Sequence, residues 1–142
     1  MGVNISSPNH DIAMGYGGFA RLRRTIAGLC PNEIKLHYEY LLKNLWHLSF
    51  DKEESDRYDR QTEELYVKYG KKYGKVLDFL YAPDTDGKLS YGTCKQLLDV
   101  IGDYDDDSIY GYAGWGEHAA RFRDFKEILE DCYKSKKPLI WD

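Results

Sequence analysis

The chain has 142 residues and a mass of 16.6 kDa, the size of a single domain (1–142) that buries about two-thirds of its unfolded surface without staples. Twenty basic against twenty-four acidic side chains give a net charge of −4, which argues against a general binder of nucleic acid or membrane surfaces, where a basic excess supplies affinity. The charge is polarised, however. Residues 1–50 carry five basic and three acidic side chains and residues 99–108 five aspartates with no base, so local exceptions stay open.

Residues 2–7 alternate Val3 and Ile5 with Asn4 and Ser6 and read as a short strand ending at Pro8. Residues 9–14 read as a loop. The run Gly15-Tyr16-Gly17-Gly18-Phe19-Ala20-Arg21-Leu22-Arg23-Arg24 then opens a helix with the apolar stripe Phe19, Leu22, Ile26 and Leu29. Arg21 and Arg24 fall off that stripe, towards solvent. Glycines followed by a basic first turn could hold a phosphate or carboxylate, or could form a tight turn whose arginines are solvated or paired with acids elsewhere. The run is echoed late in the chain by Gly111-Tyr112-Ala113-Gly114-Trp115 and Ala120-Arg121-Phe122-Arg123. If the two copies converge, Phe19 and Trp115 beside the arginines would combine stacking with anion recognition. The candidate binding residues are therefore Tyr16, Gly17, Gly18, Arg21, Arg24, Tyr112, Trp115, His118 and Arg121.

Residues 30–32 break the chain, and Asn32 is placed to cap a second helix with Ile34, Tyr38, Leu41, Leu42, Leu45 and Leu48 on one face. Asp51 with Glu54 forms a capping-box pattern. The charged run after it pairs Glu53 with Arg57, Asp56 with Arg60 and Glu64 with Lys68, as a solvated helix face does. Leu65, Tyr69, Tyr73, Val76, Leu77 and Leu80 continue the spine, and Gly70 and Gly74 predict a kink or break near residue 70. Residues 83–87 are a turn. Asp84 to Ser90 matches the middle of a calcium loop but puts Ala82 and Thr93 where its first and last carboxylates belong, so an aspartate-stabilised turn before a helix over 91–101 is preferred. Asp103, Asp105 and Asp107 form a second acidic loop, whose partners are expected at the arginines of 21–24 and 121–123. A last helix is predicted over 117–134, followed by a strand at 138–141 that could pair with residues 3–6.

Cys30, Cys94 and Cys132 sit in apolar helical contexts and read as reduced and buried. Thirteen tyrosines suit either a recognition surface or a mixed helical core. The four histidines lack metal spacing, and Glu117 beside His118 is the natural acid/base pair for a hydrolase. No apolar run reaches the ~18–20 residues of a membrane span, the N-terminus lacks a secretory pattern, and Gly2 with Ser6 is only a partial myristoylation pattern. The location expected is the cytoplasm. No cofactor is expected.

Residues 14–23, residues 84–90 with 94–98, and residues 125–129 with Cys132 resemble a family of small uncharacterised proteins of bacteria and their phages. The resemblance implies an accessory protein, of the kind used in conflict between phage and host, and carries no reaction. The combined expectation is a mainly α (α+β) fold of five to six helices, with a small antiparallel sheet formed by the N- and C-terminal strands. Its expected role is that of a binding or inhibitory protein occupying a macromolecular partner. A pocket for a nucleotide-like phosphorylated ligand and a small hydrolase using Glu117 and His118 are the alternatives. The partner is thus a protein or a small anionic ligand, with self-association open.

Overall fold

A computed structural model of the chain describes residues 2–111 and 120–142. It begins with a hairpin: β1 (Val3–Ser6) turns through Pro8 and Asn9 and returns as β2 (Asp11–Met14). The segment read as loop therefore contains a strand. Asp11 and Ala13 are poor strand formers, and tertiary contacts supply what local preference does not. β2 pairs antiparallel with β1 from Val3↔Met14 to Ser6↔Asp11. The Asp131 carboxylate pins the turn, accepting from the Ser7 hydroxyl at 2.6 Å, the Asn9 amide at 2.8 Å and Asn9 Nδ2 at 2.9 Å.

The chain continues through α1 (Tyr16–Gly28), α2 (Asn32–Lys43), α3 (Leu45–Phe50), α4 (Lys52–Tyr81), β3 (Gly87–Leu89), α5 (Tyr91–Ile101), α6 (Phe122–Ser135) and β4 (Leu139–Trp141). The fold is mainly α, with six helices among the described residues and one antiparallel sheet ordered β2-β1-β4-β3. The expected pairing of the two ends is present, since β4 lies against β1 through Ile5↔Trp141 and Ser6↔Ile140. β3 has no counterpart in the sequence pattern. Three residues are too short a run to read, and β3 exists because β4 pairs with it from Gly87↔Trp141 to Leu89↔Leu139.

Three boundaries differ from the sequence reading. Pro31, not Asn32, caps α2, and no side chain caps its N-terminus. The second helix ends at Asn44 (φ −125, ψ 22), whose Nδ2 bonds back to the Tyr40 carbonyl, so Leu45 leaves the apolar face and is exposed. The last helix starts at Phe122 because Arg121 is extended and bridges Ile109; residues 117–119 lie outside the described part.

α4 bends near residue 70 as the glycines predict. The helix runs unbroken from Lys52 to Tyr81, yet Tyr66 OH donates to Asp78 at 2.6 Å and the Tyr58 and Tyr81 rings lie 6.4 Å apart. Twelve residues of straight helix rise about 18 Å and twenty-three about 34 Å, so the two arms must fold back towards each other. Gln96 Oε1 enters the corner, accepting from the Lys75 and Val76 amides at 2.8 and 3.3 Å. A side chain inserted into the i→i−4 ladder is a recognised cause of such bends.

The core gathers Ile5, Leu139 and Trp141 of the sheet with Phe19, Leu22 and Ile26 of α1, Val76 and Phe79 of α4, Leu97 of α5 and Phe125 of α6. Trp141 lies across Gly87, where a β-carbon would fall 1.8 Å from its ring. All three cysteines are free and buried, and burial pushes the Cys30 and Cys94 thiols up to about 12. Among the described residues, no helix is long and apolar enough to cross a membrane.

Candidate functional site

The first glycine run and the described edges of its echo meet. A β-carbon on Gly18 would lie 1.9 Å from the Tyr110 carbonyl oxygen, and one on Gly111 would lie 2.6 Å from the Ala120 amide and 3.1 Å from the Ala13 carbonyl. Glycine is required at both for the backbones to approach this closely. The Tyr110 amide donates to the Ala120 carbonyl at 2.8 Å, which closes the neck of the echo beside the start of α1. Tyr112, Trp115 and His118, like Glu117, lie outside the described residues.

The arginines at this junction have internal partners. Arg21 Nη2 donates to the Ile109 carbonyl at 2.6 Å and its guanidinium lies 5.3 Å from the Tyr110 ring centre. Arg121 Nη1 donates to the Asp107 carbonyl at 2.8 Å, and the Arg121 amide to Asp124 at 2.7 Å. Arg123 spans Asp105 (3.0 Å) and Asp107 (2.8 Å), while Asp106 accepts from the hydroxyls of Tyr104 and Tyr110. Among the described residues, the acidic loop engages Arg121 and Arg123 and, through Asp106, the Tyr110 hydroxyl, which lies 3.1 Å from Thr25 of α1. Arg24 stands apart, 3.8 Å from Glu39, at the edge of an open hollow of about 330 Å³. Tyr16 and Gly17 are exposed.

Phe19 requires a correction: its ring is not part of a stacking surface. It is buried 6.0 Å from Phe79 and 5.7 Å from Trp141. Arg23, which the sequence pattern does not single out, lies beneath the junction at 4 % exposure. Its guanidinium is 4.2 Å from the Phe19 ring centre and donates to Asp84 and to the Pro83 carbonyl, both at 3.1 Å. Burial lowers its pKa from the ordinary arginine value, opposed by the charge of Asp84. This pairing fixes the turn whose sequence matches the middle of a calcium loop. Among the described residues, no group of three or more His, Cys, Asp or Glu converges as a metal site.

A second surface is formed by α3 with residues of α2 and α4. α3 buries none of its six side chains; Trp46 is 78 % and Phe50 72 % exposed, with ring centres 4.4 Å apart. Leu36 and Leu45 are also exposed. Next to them, a hollow of about 310 Å³ is lined by Leu36, His37, Tyr40, Glu54, Arg57 and Tyr58. His37 forms its floor, stacked on Tyr58 at 3.9 Å with Nε2 2.8 Å from the Thr62 hydroxyl. Desolvation brings its pKa down to about 4, so the ring is neutral at physiological pH. The sequence signal for this surface is the residue order Leu45-Trp46-His47-Leu48-Ser49-Phe50, which has more apolar positions than one buried stripe can use.

Comparison of the chain with protein-family models, curated proteins and solved structures finds no match.

Proposed function

We propose that this chain is a non-enzymatic binding or inhibitory protein of phage or mobile-element type, acting by occupying a protein partner through α3. The observation that carries the reading is that α3 holds the adjoining Trp46 and Phe50 rings in water with no side chain buried. An exposed apolar cluster of this kind marks an interaction surface, and tryptophan is among the residues that dominate binding energy when a partner desolvates them. The partner that fits is a protein with an apolar depression able to take both rings. Its phage or mobile-element setting rests on the resemblance of residues 14–23, residues 84–90 with 94–98, and residues 125–129 with Cys132. The nucleotide-like ligand draws less support, since Arg21 is engaged by the Ile109 carbonyl and Arg24 stands beside Glu39.

The test is affinity capture from bacterial extract, followed by titration of the purified partner with wild type and with Trp46→Ala/Phe50→Ala. Wild type should give a saturable stoichiometric complex, and the double variant, folded with an unchanged melting temperature, should bind about a hundredfold more weakly or less. Equal binding by the double variant overturns the reading. So does catalytic turnover by wild type in the absence of any stoichiometric complex.

A further inference from the structure

A different face of the molecule carries concentrated positive charge. The corner of α4 repeats a tetrad, Lys68-Tyr69-Gly70-Lys71 and Lys72-Tyr73-Gly74-Lys75, and residues 66–77 contain four lysines and no acid. Lys68 pairs with Glu33. Lys71, Lys72 and Lys75 are exposed and make no ion pair among the described residues. Lys75 Nζ leans over the first turn of α5, where a β-carbon on Gly92 would lie 2.7 Å from it. Lys71, Lys72, Gly92 and Lys95 line one hollow of about 300 Å³ together with a single acid, Asp99. Lys95, paired with Asp99 at 2.6 Å, also lies 5.8 Å from the ring centre of Tyr133, after which Lys134, Lys136 and Lys137 follow in the chain. Tyr91 and Tyr133 are 45 % and 41 % exposed.

We propose that this strip, from the α4 corner across α5 to Tyr133, binds the phosphate backbone of single-stranded nucleic acid. Adjacent lysines with little internal neutralisation leave a field that only an extended polyanion satisfies at several points at once. The two exposed tyrosine rings offer stacking to unpaired bases, which a duplex cannot supply. The strip lacks the Trp, Phe and Leu that would enter a bilayer interface; those residues lie on α3. A net charge of −4 is compatible with this, because the acids are concentrated elsewhere, as in residues 99–108. This assignment is independent of the α3 surface.

The experiment is fluorescence anisotropy of the full chain with a labelled oligothymidylate of about 20 nucleotides across a salt series. Wild type should bind with a dissociation constant of about 1–100 µM, weakening steeply as salt rises. Lys71→Ala/Lys72→Ala/Lys75→Ala should reduce the slope of log K against log salt by about 2, since each phosphate no longer neutralised removes about 0.7. Tyr133→Ala should weaken binding about tenfold with the slope kept. All four side chains are exposed, so circular dichroism and melting temperature should not change, and Trp46→Ala/Phe50→Ala should bind the oligonucleotide as wild type does. The proposal is overturned by absence of binding at about 50 mM salt, by a triple variant with wild-type affinity and slope, or by an unaffected Tyr133→Ala. Equal or tighter binding of duplex, polyglutamate or acidic vesicles would overturn the choice of partner.

Discussion

Arg23 illustrates how single residues here escape a reading by type. It stands four residues after Phe19 and three before Ile26, which places it on the buried stripe by spacing alone, yet an arginine on such a stripe is ordinarily discounted. Its aromatic surroundings and Asp84 make the position tenable. His37 is the other buried polar group with a measurable signature. Its folded pKa of about 4 lies below the unfolded value near 6.5, so below pH 6.5 the unfolded state takes up the proton first. Stability contributed by a neutral His37 is therefore intact above about pH 6.5 and is lost progressively down to about pH 4, to a limit of about 3 kcal/mol. Urea unfolding across pH 7 to 4 should show this loss in wild type and lack it in His37→Leu, so the difference between the two curves should change across that range. Parallel curves would mean that His37 titrates alike in both states.

At the scale of elements, most helices are legible in the sequence, both ends of α5 and the Asp51 cap of α4 included, while α3 and the ends of α2 and α6 are not. Phe19, Leu22 and Ile26 in α1 and Leu65, Val76 and Leu77 in α4 recur with helical period and are all buried, because periodicity records which face meets the core. β2 and β3 carry no such record. They are strands because β1 and β4 lie beside them and because Asp131 holds the first turn. The α3 surface escapes the pattern for a related reason: Leu45 continues the spacing of α2, but the break at Asn44 redirects everything after it. The corner of α4 shows local and tertiary causes acting together, since Gly70 and Gly74 weaken the helix and Gln96 takes the released amides. Gln96→Leu should leave both amides without that acceptor and cost about 1–3 kcal/mol. Amide hydrogen exchange should accelerate at Lys75 and Val76 more than in the rest of α4. Unchanged protection there would show that Gln96 is incidental to the bend.

Over the whole molecule, one side chain joins most of the layers. Trp141 packs on Phe19 of α1 and Phe79 of α4, lies over Gly87 of β3 and donates from Nε1 to the Pro83 carbonyl at 3.1 Å. Trp141→Ala should cost about 3–5 kcal/mol, a large share of the roughly 5–15 kcal/mol that holds a folded domain together. Chemical denaturation would measure it, and a loss under about 1 kcal/mol would mean that the surrounding elements collapse into the space. The strand that carries Trp141 occupies an interior place in the sheet, between β1 and β3. During synthesis, the hairpin of β1 and β2 and the helices that follow leave the ribosome long before β4 does, and until then β1 and β3 have no strand to join them. Pairings that close over so long a loop form slowly. Until β4 arrives, the nascent chain therefore has Phe19 without the cover of Trp141 and the inner edge of β1 unpaired.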